Sequence, residues 1–302
     1  MHTAKAALTA LVCSALLLFV SLAPAWAAAP EDKAFEEARQ AAQPGPVDLP
    51  LAGQALLKLP AGHVFVPQPQ AARLLNAMGN PGTDPRLQGL IFPQGEGAGW
   101  FITVRFEDAG HIKDDDARDW NADELLKSYR EGTEASNEER VKLGVPALEV
   151  LGWAEKPAYD ATAHRLVWAM SSRHKGAPAG EAQGVNYNTY VLGREGYFAL
   201  NLVTGLDELP AHKGAAQAML AALQFIEGKR YADFNASTDR VAEYGLAALV
   251  VGVAAKKLGL IALAGVFIAK FAKIILIALA VLGAGAARFF KGRKAKAVPP
   301  AA

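Results

Sequence analysis

The feature that most constrains this chain is an apolar run near its C-terminus, residues 245–287, which contains no Asp or Glu. Its two uncharged pieces, residues 258–269 and 274–287, are 12 and 14 residues long. A helix needs about 20 residues to cross the hydrocarbon core of a bilayer. Only two residues separate Lys270 from Lys273, which leaves no room for a turn. The sequence therefore predicts one continuous transmembrane helix that carries these lysines.

The lysines set the expected position of this helix in the membrane. A lysine at the bilayer centre costs about 2.5–3.5 kcal/mol, and much less at the interface, where its stem reaches water. The most favourable register places residues 268–288 in the bilayer, with Lys270 and Lys273 at one interface and Arg288 at the other. Two alternatives stay open. The lysines could line an oligomer interface or a wet cavity, or the run could lie on the membrane surface as an amphipathic helix.

Residues 1–27 have the layout of a secretory signal peptide. Lys5 precedes an apolar stretch, and small residues surround the A-x-A site that ends at Ala27. A retained N-terminal anchor is the alternative. The single cysteine, Cys13, lies inside the apolar stretch, so cleavage predicts a mature chain with no disulfide, no thiol nucleophile and no Cys-ligated metal.

Charge is divided between the middle and the end of the chain. Residues 28–243 hold all 30 acidic residues and 21 of the 31 basic ones, a difference of −9, and nine basic residues follow. Export places the middle part outside the cytoplasm, and the positive-inside rule places the basic tail, residues 289–302, within it. We expect a single-pass protein of the bacterial inner membrane with a periplasmic domain. Its partners are the lipid bilayer and another envelope protein or a second copy, and its acidity argues against nucleic acid.

The middle part mixes strand and helix patterns. Residues 100–106 alternate as a half-buried strand does, and the Gly193 to Gly196 turn separates two more strand patterns. Further strands are predicted at residues 56–59, 63–66, 148–153 and 164–170, and helices at 35–40 and 69–78, after Asn121 and after Pro210. Short links between strands favour antiparallel pairing. The prediction is an α+β domain, residues 47–236, in which helices cover a twisted antiparallel sheet, between a spacer at 28–46 and a membrane-proximal helical segment at 237–267.

Catalytic and metal-binding signatures are missing from the sequence. There is no H-E-x-x-H pair and no G-x-S-x-G elbow, and the glycines around Arg194 lack the Lys-Ser/Thr ending of a phosphate loop. Asp114 opens an Asp triplet, but the twelfth position from it is Leu125 rather than the glutamate of a calcium loop. We therefore predict no catalytic residue, no metal site and no cofactor, and we interpret the triplet as a solvated turn.

Polar residues within the domain are candidates for contacting a ligand or partner. They are Asp114, Asp115, Asn137, Arg140, Asp160, Asn186, Asn188 and Arg194. A structural role competes with this interpretation, because Arg140 or Arg194 could pair with Asp160 and stabilise the fold.

Several segments resemble those of an uncharacterised bacterial family of membrane-anchored proteins with a domain of unknown function. They read GHIKDDDA, EGTEASNEER, LGWAEKPAYD, VNYNTYVLGREGYFALNLV and GKRYADFNASTDRVAEYGLAALVVG. The resemblance covers about residues 47–273 and implies an exported domain, a C-terminal anchor and no established activity. The element order also resembles the PsbP-like α/β sandwich, which binds partner proteins without catalysis.

Three functional hypotheses follow. The first is a non-enzymatic module that binds another envelope protein or a ligand. The second is an envelope hydrolase acting on carbohydrate through carboxylates such as Asp114 and Asp160, which would have to lie about 5–10 Å apart across a cleft. The third is an oligomeric pore lined by the membrane lysines.

Overall fold

The structure, a computed structural model, describes residues 30–252 apart from residues 81, 96–98, 119 and 179. The predicted signal peptide, the transmembrane helix with Lys270, Lys273 and Arg288, and the basic tail lie outside the described residues. Within the described part of the chain, no helix combines the length and the apolar character needed to span a membrane.

Helices and strands follow one another in a mixed order. The helices are α1 (Pro30–Ala41), α2 (Gln70–Ala77), α3 (Ala122–Lys142), α4 (Leu209–Ala222) and α5 (Leu246–Val251). The strands are β1 (Gln43–Pro44), β2 (Val47–Leu51), β3 (Ala55–Leu59), β4 (His63–Pro67), β5 (Leu87–Pro93), β6 (Phe101–Glu107), β7 (Leu148–Asp160), β8 (Arg165–His174), β9 (Gly184–Leu192), β10 (Tyr197–Gly205) and β11 (Leu223–Phe225). Short 3-10 helices form at Asp115–Arg118 and Tyr231–Asp233.

The strands form two antiparallel sheets. The larger has eight strands in the order β1-β4-β5-β6-β10-β9-β8-β7, and the smaller has three in the order β11-β3-β2. In the large sheet, β9 and β10 form the predicted hairpin, with Leu192 opposite Tyr197 and the Gly193 N–H donating to the Gly196 carbonyl at 2.7 Å. The predicted α+β class, a large antiparallel sheet with helices, is therefore confirmed. The small sheet was not predicted.

Both faces of the large sheet are covered. On one face, Phe198 and Leu200 pack with Leu57 of the small sheet and Met219 of α4. On the other, Trp168 packs against α3 and α5, while α1 and α2 cover Leu90 near the opposite edge. This arrangement buries one face of each helix against the sheet and leaves most of α3 exposed to solvent.

The folded unit extends on both sides of the predicted boundaries 47–236. Within the predicted spacer, α1 buries Ala38 against α2 and β4, and Glu37 pairs with Arg73 at 2.7 Å. After residue 236, Leu246 and Val250 of α5 are fully buried. The first residues of the apolar run are therefore part of the hydrophobic core that surrounds Trp168.

Candidate functional site

Four aromatic rings form a continuous stack on one side of the domain, which we call the ring stack. The rings follow the order Phe234, His111, Tyr231 and His164, with centroid separations of 3.9, 4.3 and 4.0 Å. His111 follows β6, His164 ends the β7–β8 turn, and Tyr231 and Phe234 lie in the segment after β11. Three distant parts of the chain thus meet in one cluster.

Backbone pairing holds His111 in the ring stack. Its N–H donates to the Arg240 carbonyl at 2.8 Å, and its carbonyl accepts from the Ala242 N–H at 2.9 Å. The preceding Gly110 has φ of +86°, and a Cβ there would lie 2.7 Å from the Arg240 carbonyl oxygen. This close approach requires glycine, because a side chain would displace the paired strand-like segment.

A hydrogen-bonded triad meets the His164 end of the stack. The Tyr159 hydroxyl lies 2.8 Å from Asp114 Oδ2 and 3.2 Å from His164 Nδ1. A hydroxyl has one proton, and the carboxylate is the closer and stronger acceptor. The Tyr159 hydroxyl therefore donates its hydrogen bond to Asp114, and His164 Nδ1 must carry a hydrogen in order to donate to the Tyr159 oxygen. We call this arrangement the Asp114–Tyr159–His164 relay. In the neutral form of the imidazole, Nε2 is then the lone-pair acceptor.

His164 occupies this position in an uncommon backbone conformation. Its φ is +51°, in the left-handed region that costs a non-glycine residue about 1–3 kcal/mol when strained. Its carbonyl accepts from the Leu192 N–H at 2.9 Å, which ties the turn to β9. Local structure is thus used to place the imidazole beside Tyr159.

Burial and charge shift the ionisation of the cluster in a consistent way. Burial, followed by the bond to Asp114, raises the pKa of Tyr159 far above its usual range, and burial likewise raises the pKa of Tyr231. Burial lowers the pKa of His111, whose side chain is almost fully enclosed and whose Nδ1 has no hydrogen-bond partner. At neutral pH, both phenols and the His111 imidazole are therefore uncharged.

Other polar residues around the site support the segment after β11. Arg194 forms a two-pronged ion pair with Asp239, with contacts of 2.7 and 2.8 Å, which holds the pKa of Asp239 well below its usual range. The Tyr231 hydroxyl donates to the Ile112 carbonyl at 2.8 Å. Both contacts attach the segment to the rest of the domain.

The aspartates predicted as candidates have three different roles. Asp114 belongs to the relay, and Asp115 beside it is exposed. Asp116, the third member of the triplet, accepts the first N–H groups of α5, from Leu246 and Ala247, both at 3.0 Å. Asp160 accepts the N–H groups of Thr162 and Ala163 in the β7–β8 turn. The triplet is therefore more structured than the predicted solvated turn.

Asn137 and Arg140 lie away from the relay, on α3. Asn137 is only 5% exposed. It donates to the Leu148 carbonyl and accepts from the Leu148 N–H, both at 2.9 Å. Arg140 donates to the Pro146 carbonyl at 3.0 Å, and Arg130 donates to the carbonyls of Val150 and Leu151. Side chains of α3 thus bond the open edge of β7, where a neighbouring strand would otherwise pair.

Asn186 and Asn188 lie on the large sheet. Asn188 is buried and donates to the Asn186 carbonyl at 3.1 Å, whereas the Asn186 side chain is exposed. Asn188 faces Asn201 of β10 in the ladder. Of the eight predicted candidates, the structure brings Asp114 and Asp115 to the relay and Arg194 to the neighbouring segment.

Sequence reasoning missed Tyr159, His164 and Tyr231 as members of one site. Tyr159 and His164 lie five residues apart across the β7–β8 turn, but their contacts with Asp114 and Tyr231 are long-range, so no local spacing connects the whole site. The family-like segments carry a usable signal, since residues 110–117, 151–160 and 228–252 each contribute side chains to the cluster. Within the described ranges, no group of three or more His, Cys, Asp or Glu residues is arranged to hold a metal ion.

Comparison with known proteins gives a family match and distant structural likenesses. A family model described as "Protein of unknown function (DUF2167)" matches residues 41–280, which confirms the family resemblance predicted from the motifs. No curated protein matches the chain.

Among solved structures, cyanobacterial PsbP (CyanoP) from Synechocystis sp. PCC 6803 is 11% identical, with a TM-score of 0.35, covering 57% of this chain and 86% of that one. The Saccharomyces cerevisiae Ran-binding protein Mog1p is also 11% identical, with a TM-score of 0.32, covering 63% of this chain and 98% of that one.

Proposed function

This chain belongs to the DUF2167 family, and from that premise we propose that it is a membrane-anchored periplasmic module of the bacterial envelope that binds a partner protein or ligand without catalysing a reaction. A PsbP-like α/β sandwich forms its exported part, and residues 268–288 form its transmembrane helix. The signal-like N-terminus, the acidic middle and the basic C-terminus support this orientation.

The proposed binding role rests on one observation: the segments that resemble the family meet in space at the ring stack and the relay. These segments are far apart in sequence, yet they supply Asp114, Tyr159 and Tyr231 to one half-exposed cluster. The surrounding residues stabilise this arrangement, as in the Arg194–Asp239 pair. A site assembled by long-range contacts on a rigid sheet suits recognition, because its groups are positioned before a ligand arrives.

Site-specific photo-crosslinking in intact cells tests the binding role. A photoreactive residue replaces exposed Asp115 at the relay or, as the control, exposed Glu139 on α3. We expect a discrete adduct from position 115 that weakens when His164→Ala is added, and none from position 139. The proposal fails if position 115 gives no adduct, or if both positions give the same one.

The orientation has its own test. Fusion of alkaline phosphatase or of a fluorescent reporter after Ala302 reports which side of the membrane holds the C-terminus. We expect fluorescence and no phosphatase activity, together with protease cleavage of the folded domain only after the outer membrane is opened. Phosphatase activity from the fusion would refute the predicted topology.

A further inference from the structure

The relay has unused hydrogen-bond acceptors, whereas its two hydrogen-bond donors are already bonded within the relay. The Tyr159 hydroxyl donates a hydrogen bond to Asp114 Oδ2 at 2.8 Å, and His164 Nδ1–H donates one to the Tyr159 oxygen at 3.2 Å. A carboxylate has about four lone-pair positions, and this bond uses one of them. Asp114 and His164 have side-chain exposures of 28% and 29%, so solvent reaches both residues.

Basic side chains do not neutralise Asp114 in the described part of the chain. The basic group nearest to it is His164 Nδ1, at 3.8 Å from Oδ2. Neighbouring Lys113 is exposed and forms no ion pair within 4.0 Å there. By contrast, Asp239 and Asp108 pair with Arg194 and Arg240. Among the described residues, Asp114 thus lacks the close arginine partner that Asp239 and Asp108 have.

The stack beside the relay contributes a further unused polar atom. His111 is 7% exposed, and its Nδ1 has no partner, although a buried polar group left unpaired costs about 1–3 kcal/mol. The ring lies next to Tyr231 at 4.3 Å, and Tyr231 lies next to His164 at 4.0 Å. The unpaired atom and the relay therefore belong to the same cluster.

From this geometry, we infer that the Asp114–Tyr159–His164 relay is a binding site for an organic cation that has N–H donors, an alkylammonium or a guanidinium group. Such groups donate hydrogen bonds and accept none, which matches a carboxylate that keeps unused lone pairs beside its bond to Tyr159 and a neutral imidazole whose Nε2 is an acceptor. A charge-assisted bond to Asp114 would supply most of the affinity, and the negative charge of the domain would attract the cation. Tyr159 acts as a positioning residue, because its oxygen selects the tautomer with hydrogen on His164 Nδ1 and the lone pair on Nε2. The inference rests on the proposed binding function and specifies its ligand class.

The test uses the full chain in detergent and saturation-transfer NMR of methylguanidinium. We expect saturable binding that weakens at least tenfold in Asp114→Asn and less than twofold in Asp115→Asn, which removes the same charge one residue away. Urea, which lacks the charge, and tetramethylammonium, which lacks N–H donors, should bind at least tenfold more weakly. Equal losses in the two variants, equal binding of tetramethylammonium, or no binding by the wild type would overturn the inference.

Tyr159→Phe tests the positioning role apart from any loss of folding. The ring remains while the relay bonds disappear, so the nitrogen-15 shifts of His164 should change from the Nδ1–H form to a mixture of tautomers. Unchanged shifts would refute the relay. Thermal unfolding of each variant identifies any that fails to fold, and for Asp114 the Asp114→Glu variant, which keeps the carboxylate, is then measured for at least partial retention of binding.

Two sources of the cation are separated by comparing methylguanidinium with an acetyl-Gly-Arg-Gly-amide peptide. Tighter peptide binding assigns the site to an arginine side chain of a partner, and equal binding assigns it to a free small cation. Failure of all cationic probes, with a persistent crosslink from position 115, would reject this ligand class and leave the binding function standing.

Discussion

Asn137 provides a direct measure of how much α3 contributes to the domain by covering the β7 edge. Its amide makes two hydrogen bonds of 2.9 Å with the backbone of Leu148. Replacing it with Leu leaves the Leu148 N–H and C=O unpaired, at about 1–3 kcal/mol each when buried. Leu148 is half-buried, so water recovers part of this loss. The better helix propensity of Leu offsets about 0.5 kcal/mol.

The net expectation for Asn137→Leu is a loss of about 2 kcal/mol in the free energy of unfolding, which corresponds to about 4–8 °C in Tm for a domain of this size. The assay is thermal unfolding of the full chain followed by tryptophan fluorescence. Ser136→Ala is the matched control, because Ser136 is exposed and bonds only within the helix. It should stay within about 0.5 kcal/mol of the wild type. Equal Tm values for the two variants would refute the edge-covering role.

Two further predictions concern His111 and Gly196. Burial lowers the pKa of His111 below its ordinary 6.5. The unfolded chain therefore binds the proton more tightly, and the stability of the fold decreases as the pH drops below about 6.5. His111→Phe should flatten the pH dependence of Tm between about pH 5 and 7, and parallel Tm curves for variant and wild type would contradict this. A Cβ at Gly196 would lie 1.9 Å from the Glu107 carbonyl oxygen, whereas one at Gly152 meets nothing within 4 Å. Gly196→Ala should therefore cost about 1–3 kcal/mol in chemical unfolding and Gly152→Ala much less, and equal stability of the two variants would count against the fold at this turn.

The sequence predicted the parts of the fold whose signals are local. The alternation in residues 100–106 identified β6, and the helix predicted after Asn121 is α3, where the Asn121 side chain accepts from the N–H groups of Asp123 and Glu124. The small sheet escaped prediction because β2 contains Pro50, and β11 follows α4 without any turn residue. The chain therefore passes from α4 directly into a strand at Leu223.

The site was harder to predict, because its contacts join residues far apart in the chain. Asp114 was a candidate from its charge, but its bonding partner Tyr159 lies 45 positions later. Asn137 was a candidate for contacting a ligand or partner, yet it turns inward, where its amide bonds the edge of β7 at Leu148. Residue type showed which groups carry chemistry, whereas only the sheet topology determines which of them meet.

The burial of α5 has a mechanical consequence under the proposed topology, in which a membrane anchor follows the domain. Tension arriving from that side would first load the six residues of α5, whose leading N–H groups are held by Asp116. Asp116 lies two residues from Asp114, so force on the tether would be passed directly to the loop that builds the relay.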